Sequence, residues 1–253
     1  MLSRFAKAKE AEIAALKELE RTGRLPAPYS GDRPVFSQAL KKKGIVAITE
    51  YKRASPSKGD IELGLEPEDV ARAYAQAGAG ALSVLTEETY FKGHMNYLDR
   101  MAFAGLPMLR KDFILHPLQI VQTAASPASA LLLVVRMLSG AEELRMLLDI
   151  THKNNMEAVV EVFDEQDLEI AREAGSRIIQ VNNRDLSTLQ TDLAISSRLV
   201  KERDAAECWI SASGITEPEH RKYVETLGFD AMLVGTALMA GGDPQGSLAR
   251  LLQ

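Results

Sequence analysis

The chain has 253 residues, 46% apolar and 26% charged, which is ample for a packed core and unlike the composition of a disordered segment. Lys and Arg number 30 against 35 Asp and Glu, so the net charge of −5 gives no electrostatic reason to expect a nucleic-acid partner. Cys208 is the single cysteine, which excludes an intrachain disulfide and a multi-thiolate metal cluster; no apolar run is long enough to span a bilayer and no N-terminal apolar segment precedes a cleavage site, so a cytoplasmic protein is expected.

Residues 1–24 read as an amphipathic helix, with Leu2, Phe5, Ile13, Leu16 and Leu19 among many Lys, Arg and Glu; it suits either a partner helix or a lid. Pro26, Pro28, Gly31 and Pro34 mark a loop, and 36–43 predicts a short second helix ending at Gly44. The basic run Lys41, Lys42 and Lys43 is read as a solvated helix end. Residues 1–44 are thus expected to form a helical leader packed on the rest of the chain.

From Ile45 onward, short apolar runs alternate with helical patterns at spacings of roughly 20 to 35 residues, the rhythm of repeated βα units. Eight strands are expected, at 45–50, 81–85, 107–112, 130–135, 157–162, 177–182, 208–212 and 231–235. Pro67 opens the first intervening helix, with Glu68 and Asp69 in its first turn and Val70, Ala73, Tyr74 and Ala77 along one face. Further helices are expected at 140–153, 164–174, 194–203 and 217–227. Eight units in this length predict an α/β fold with a closed (β/α)8 TIM barrel, one domain over 1–253, better than a doubly wound open sheet.

In such a barrel, charged and amide residues at the C-terminal ends of strands are costly without a use. The first strand ends in Glu50 and Lys52, two apart and therefore on one side, followed by the turn Ser55-Pro56-Ser57-Lys58-Gly59. The third ends in Lys111 and Asp112, the fifth carries Glu161, the sixth ends in Asn182 with Arg184 just beyond, and the seventh leads into Ser213. Asp112 and Arg184 read equally well as structural ion-pair residues. Two lysines and two glutamates converging from separate strands point to acid–base chemistry, since opposite charges hold a Lys protonated and burial raises a Glu toward neutrality. Past the seventh and eighth strands, Ser213-Gly214 and Gly235-Thr236 let backbone N–H groups approach a ligand, the usual phosphate position of these barrels, so a phosphate ester substrate is expected. His94, His116, His152 and His220 have no metal-ligand spacing, and no GxGxxG follows a strand; neither a metal nor a dinucleotide cofactor is expected.

Several segments then stand in a recognisable order: Glu50-Tyr51-Lys52-Arg53-Ala54-Ser55-Pro56-Ser57-Lys58-Gly59, Leu85-Thr86-Glu87 with Tyr90-Phe91, Leu109-Arg110-Lys111-Asp112-Phe113-Ile114, Val160-Glu161-Val162, Asn182-Asn183-Arg184-Asp185-Leu186 and Leu233-Val234-Gly235. Together they closely resemble the indole-3-glycerol phosphate synthase family, from the leader to near the C-terminus. The resemblance implies ring closure of 1-(2-carboxyphenylamino)-1-deoxyribulose 5-phosphate with loss of carbon dioxide and water, in tryptophan biosynthesis, by a monomer or weak homo-oligomer without a cofactor. It implies Lys111 as the acid at the ketose oxygen, Glu161 in the dehydration, Lys52 on the substrate carboxylate, and Glu50 and Asn182 as orienting groups. Phe91 and Phe113 become aromatic walls, and Ser55, Arg184, Ser213, Gly214, Gly235 and Thr236 become phosphate and pocket contacts. Three positions depart from the family pattern: Ala212 stands before Ser213-Gly214-Ile215 where Glu is usual, Gln180 where Gly is common, and Ser126-Pro127-Ala128-Ser129 replaces a Gly-Ala. Two other readings stay open: a related phosphosugar lyase or isomerase using a Lys111 Schiff base, and, motivated by Ala212 and Gln180, a paralogue with an altered substrate or one that binds a phosphate ligand without turnover.

Overall fold

A computed structural model describes residues 2–185 and 188–253; Met1 and Leu186, which belong to the leader and to the segment after the sixth strand, lie outside the described residues. Eight parallel strands close into a barrel: β1 (Val46–Tyr51), β2 (Ala81–Leu85), β3 (Met108–Lys111), β4 (Ala130–Val134), β5 (Glu157–Val162), β6 (Ile178–Asn182), β7 (Cys208–Ala212) and β8 (Ala231–Val234). Each pairs with its neighbour in sequence, and β1 closes the ring on β8 with Val46 opposite Ala231. The strands read as unbroken apolar runs because both faces are covered. Val46, Ile48, Leu109, Leu132, Ile210 and Leu233 fill the barrel, whereas Leu82, Val84, Val160, Ile179, Trp209 and Met232 pack outward under the helices.

Helices α1 (Leu2–Arg21) and α2 (Phe36–Ala39) make up the leader, and it runs from one end of the barrel to the other. The buried face of α1 is Phe5, Lys9 and Leu16, spaced to share one side of a helix, and it lies over the mouth beyond β3. Residues 22–35 then descend the outside, with the Tyr29 N–H donating to the Ala124 carbonyl and Arg33 Nη2 to the Ser126 carbonyl at 2.8 Å. Phe36 and Leu40, both buried, plug the floor with Val46, Ala81 and Ala130. The Ser37 N–H anchors this plug on Glu157 Oε2 at 2.9 Å, at the start of β5. The predicted helix over 36–43 stops at Ala39 because no apolar residue follows Leu40 until Ile45, and Lys41, Lys42 and Lys43 lie in solvent.

The remaining helices are α3 (Pro67–Gln76), α4 (Glu88–Phe91), α5 (Asn96–Met101), α6 (Pro117–Ala124), α7 (Ala141–Lys153), α8 (Glu165–Ala174), α9 (Ala194–Leu199), α10 (Pro218–Thr226), α11 (Thr236–Met239) and α12 (Pro244–Leu251). The expected helix over 194–203 gives way to a 3-10 turn at Val200–Glu202. The turn after β1 contains a small antiparallel ladder, Ala54–Ser55 with Gly59–Asp60. Ser126 caps the end of α6 through its hydroxyl to the Thr123 carbonyl at 2.7 Å, and Ser129 begins the ladder on Met108. That departure therefore serves the floor of the barrel, away from the mouth.

Candidate active site

All the polar strand ends meet at the C-terminal mouth, as the alternation of strand side chains requires. Glu50 is 3% exposed and lies between two lysines, with Lys52 Nζ 2.9 Å from Oε1, Lys111 Nζ 3.9 Å from Oε2, and the Ser83 hydroxyl donating to Oε2 at 3.3 Å. Burial pushes the Glu50 carboxyl up, but the charges of Lys52 and Lys111 and the hydrogen bonds from Lys52 and Ser83 outweigh it and hold the group below the ordinary carboxylate value. The direction is opposite to the expectation that burial raises a Glu toward neutrality, and it favours the carboxylate form of Glu50 beside the two lysines. Glu161, 5% exposed, stands across the mouth on β5.

Two adjoining hollows share Lys52, Lys111, Glu161, Asn182 and Arg184 at their junction. One is apolar, walled by Leu2, Phe5, Leu85, Phe91, Phe113, Leu132 and Phe163, with Ser55 at its edge. The other is the more polar of the two and runs past Glu50 to Ser213, Gly214, Gly235 and Thr236. Every candidate residue taken from the sequence therefore lines one hollow or the other. The arrangement suits a ligand with an aromatic end, an anionic end and reacting atoms between them.

Ser213 and Gly214 both have left-handed backbones, at φ +70° and +81°, which turns the chain sharply back over the polar hollow; a Cβ on Gly214 would also meet Thr191 Cβ at 3.3 Å. Gly235 has a different cause. A Cβ there would sit 2.4 Å from Glu50 Oε1, so the glycine makes room for the carboxylate from β1. Thr236 opens the short α11 beside it. Asn182 is buried and its Oδ1 accepts from the Arg184 N–H at 3.0 Å, while Arg184 Nη1 donates to the Leu189 carbonyl at 2.6 Å, bracing the loop after β6.

Asp112 also borders the apolar hollow, but its carboxylate is taken up by partners on β3 and α1. Its Oδ2 accepts from Arg110 at 2.9 Å and from the Thr86 hydroxyl at 2.6 Å, and its Oδ1 from Lys9 Nζ at 2.8 Å. Burial pushes its carboxyl up, yet Arg110 and Lys9 prevail and hold it below the ordinary value. Glu12 joins the group through Lys9 and through Arg110 at 3.0 Å. This buried cluster latches α1 to β3. The Phe5 ring accordingly stacks on Phe113 at 4.4 Å and lies 6.1 Å from Phe91, so the leader supplies part of the aromatic wall. Helical spacing marked Phe5 as buried; nothing in it specified Phe113 as the partner, and the latch from Lys9 and Glu12 carried no local signal.

A family model described as indole-3-glycerol phosphate synthase matches residues 2–251. An indole-3-glycerol phosphate synthase of Dehalococcoides mccartyi is 43% identical over 247 residues, covering 95% of this chain and 92% of the relative. One of Carboxydothermus hydrogenoformans is 40% identical over 243 residues, covering 95% and 90%. The chain belongs to the indole-3-glycerol phosphate synthase family. Among solved structures, 3-hexulose-6-phosphate synthase from Salmonella typhimurium superposes with a TM-score of 0.64 at 12% identity over 82% of this chain and 96% of that one, which speaks for the barrel alone. Within the family pattern, the two departures at the mouth lie on adjacent strands. Ala212 ends β7, is 3% exposed and lines the polar hollow. Gln180 on β6 is fully buried, and its Nε2 donates to Glu161 Oε2 at 2.5 Å. Among the described residues no helix is long and apolar enough to cross a membrane, and no group of three or more His, Cys, Asp or Glu side chains is placed to hold a metal ion.

Proposed function

We propose that this chain closes the indole ring of 1-(2-carboxyphenylamino)-1-deoxyribulose 5-phosphate, with loss of carbon dioxide and water, the activity its family is named for. The reading also takes residues 1–253 as one barrel domain, acting in the cytoplasm, with its leader as part of the site. The observation that carries it is the position of Lys52 and Lys111 on one buried carboxylate, where an aromatic hollow meets a polar one.

The aromatic ring lies in the apolar hollow against the wall that Phe91 and Phe113 form, and the phosphate lies against Ser213, Gly214, Gly235 and Thr236, with Ser55 and Arg184 at the rim. The Lys52 ammonium faces the ring carboxylate. As the ring carbon bonds to the ketose carbon, Lys111 gives a proton to the ketose oxygen, where negative charge develops. The carbon–carboxylate bond then breaks, carbon dioxide leaves, and the electron pair restores the aromatic ring. In the last step the new hydroxyl leaves as water with a proton from the lysine pair, and Glu161 takes the proton lost from the adjacent carbon. One proton is consumed per turnover. Glu50 holds both lysines in place throughout, and Asn182 orients the loop that carries Arg184.

The test is fluorescence of the indole product formed from that substrate, with Lys111→Ala as control. We expect product from the native chain and a fall in kcat of about 10²-fold or more in the variant, with thermal stability retained. Near-native turnover in Lys111→Ala removes it as the acid. Substrate bound without product by the native chain instead makes it a phosphate-ligand binder.

A further inference from the structure

Gln180 sits where a small residue would leave Glu161 with one neighbour fewer. The two residues are directly paired across β5 and β6, so their side chains leave adjacent strands on the same face, into the barrel. Glu161 lines both hollows; Gln180 lines neither and is fully buried behind it. Its Nε2 donates to Glu161 Oε2 at 2.5 Å, while its Oε1 is buried with no hydrogen-bond partner. A fully buried amide with an orphaned oxygen costs stability, and an apolar side chain of the same shape would fit without that cost. The placement thus asks for a use.

Such a use follows from the role given to Glu161, on which this inference rests. A general base alternates between two forms. Before proton transfer it is a carboxylate that needs donors; afterwards it is a carboxylic acid whose O–H needs an acceptor. A fixed donor such as an ammonium would favour the first form and oppose the proton transfer. A carboxamide carries a donor and an acceptor on one rotatable plane, and so serves both forms from one position. We propose that Gln180 is the positioning residue for Glu161: Nε2 aims the carboxylate at the substrate proton, and rotation of the amide brings the unpaired Oε1 to accept from the carboxylic acid once the proton has moved. Gln180 gains and loses no proton in the cycle. The proton passes from the substrate carbon to Glu161 and then to solvent.

The experiment measures kcat, KM and thermal midpoint for the native chain, Gln180→Met, Glu161→Gln and the double variant, using indole fluorescence. Met keeps the length and buries no polar atom. The expected result is a fall in kcat of about tenfold in Gln180→Met, with KM within about twofold and a thermal midpoint equal to or above native. In the Glu161→Gln background the same substitution changes kcat by less than about twofold, because its target is already gone. Unchanged kcat in Gln180→Met, or the same loss in both backgrounds, overturns the proposal. If Gln180→Met does not fold, Gln180→Glu serves: its second carboxyl, which offers no fixed donor, should also lower kcat, and native turnover in it overturns the proposal. Native turnover in Glu161→Gln is a separate outcome, which removes Glu161 as the base and takes this inference with it.

Discussion

At the scale of single residues, the mouth is governed by what surrounds Glu50. Gly235 is decided by crowding rather than by backbone angle: an added Cβ would lie 2.4 Å from Glu50 Oε1 and 3.0 Å from its Cβ. Gly235→Ala should therefore displace the carboxylate from Lys52 and Lys111. We expect kcat/KM to fall by about tenfold or more with a small change in thermal midpoint, and activity within twofold of native would show that the Glu50 position is not critical. Ala212 offers the opposite experiment. Its side chain borders the polar hollow, where a carboxylate could engage the lysines at the junction. Ala212→Glu should raise kcat by roughly severalfold on that reasoning. A lower kcat would mean that the pocket has been rebuilt around an alanine, and repeating the substitution in Gln180→Gly would show whether Gln180 is what excludes it.

At the scale of elements, α1 is both structural and part of the site. Lys9, Glu12, Arg110 and Asp112 lock it to β3, and the same helix carries Phe5 onto Phe113. Lys9→Met removes one cation from a buried group whose acid, Asp112, is almost wholly desolvated. Loss of a partner from a buried charge group is expensive, here about 1–3 kcal/mol because Arg110 still pairs with Asp112. The thermal midpoint should drop, and KM should rise more than kcat falls, since the loosened helix carries an aromatic wall. A stable variant with native KM would separate the latch from the site. This coupling also marks where sequence reading stopped. The eight strands were legible because two-sided burial writes continuous apolar runs, and Glu50, Lys52, Lys111, Glu161 and Asn182 were legible because polar residues at strand ends interrupt them. Lys9 was not, since a lysine on an amphipathic helix looks the same in solvent as in a buried cluster. Nor were α4 and α5, which are too short for periodicity; α4 depends on Glu87, whose carboxylate accepts from the N–H groups of Thr89, Tyr90 and Phe91. Gln180 announced itself only as an odd residue in a strand. Its partner became visible once the β5–β6 register was known.

At the scale of the whole molecule, buried carboxylates tie the fold to pH. Three are held below their ordinary values against the upward push of burial: Glu50 by Lys52 and Lys111, Asp112 by Arg110 and Lys9, and Glu207 by Arg172 and the Trp209 indole N–H. A carboxyl depressed in the folded state contributes stability that is present above its unfolded value, near about 4, and is lost as pH falls through the folded value. Asp167 has the opposite sign, since burial raises it; its contribution is present below the unfolded value and lost as pH rises through the folded one. Three against one leaves a net loss of stability in acid. Urea unfolding followed by Trp209, the chain's one tryptophan and fully buried on β7, should thus show a midpoint steady near neutrality that falls below pH of about 4. Asp112→Asn supplies the decisive comparison. It should be less stable at neutral pH, because Lys9 and Arg110 lose their shared anion, and should lose less on acidification, because one of the three groups no longer titrates. Parallel curves for the variant and the native chain would mean that Asp112 is not where the acid sensitivity of the α1 latch resides.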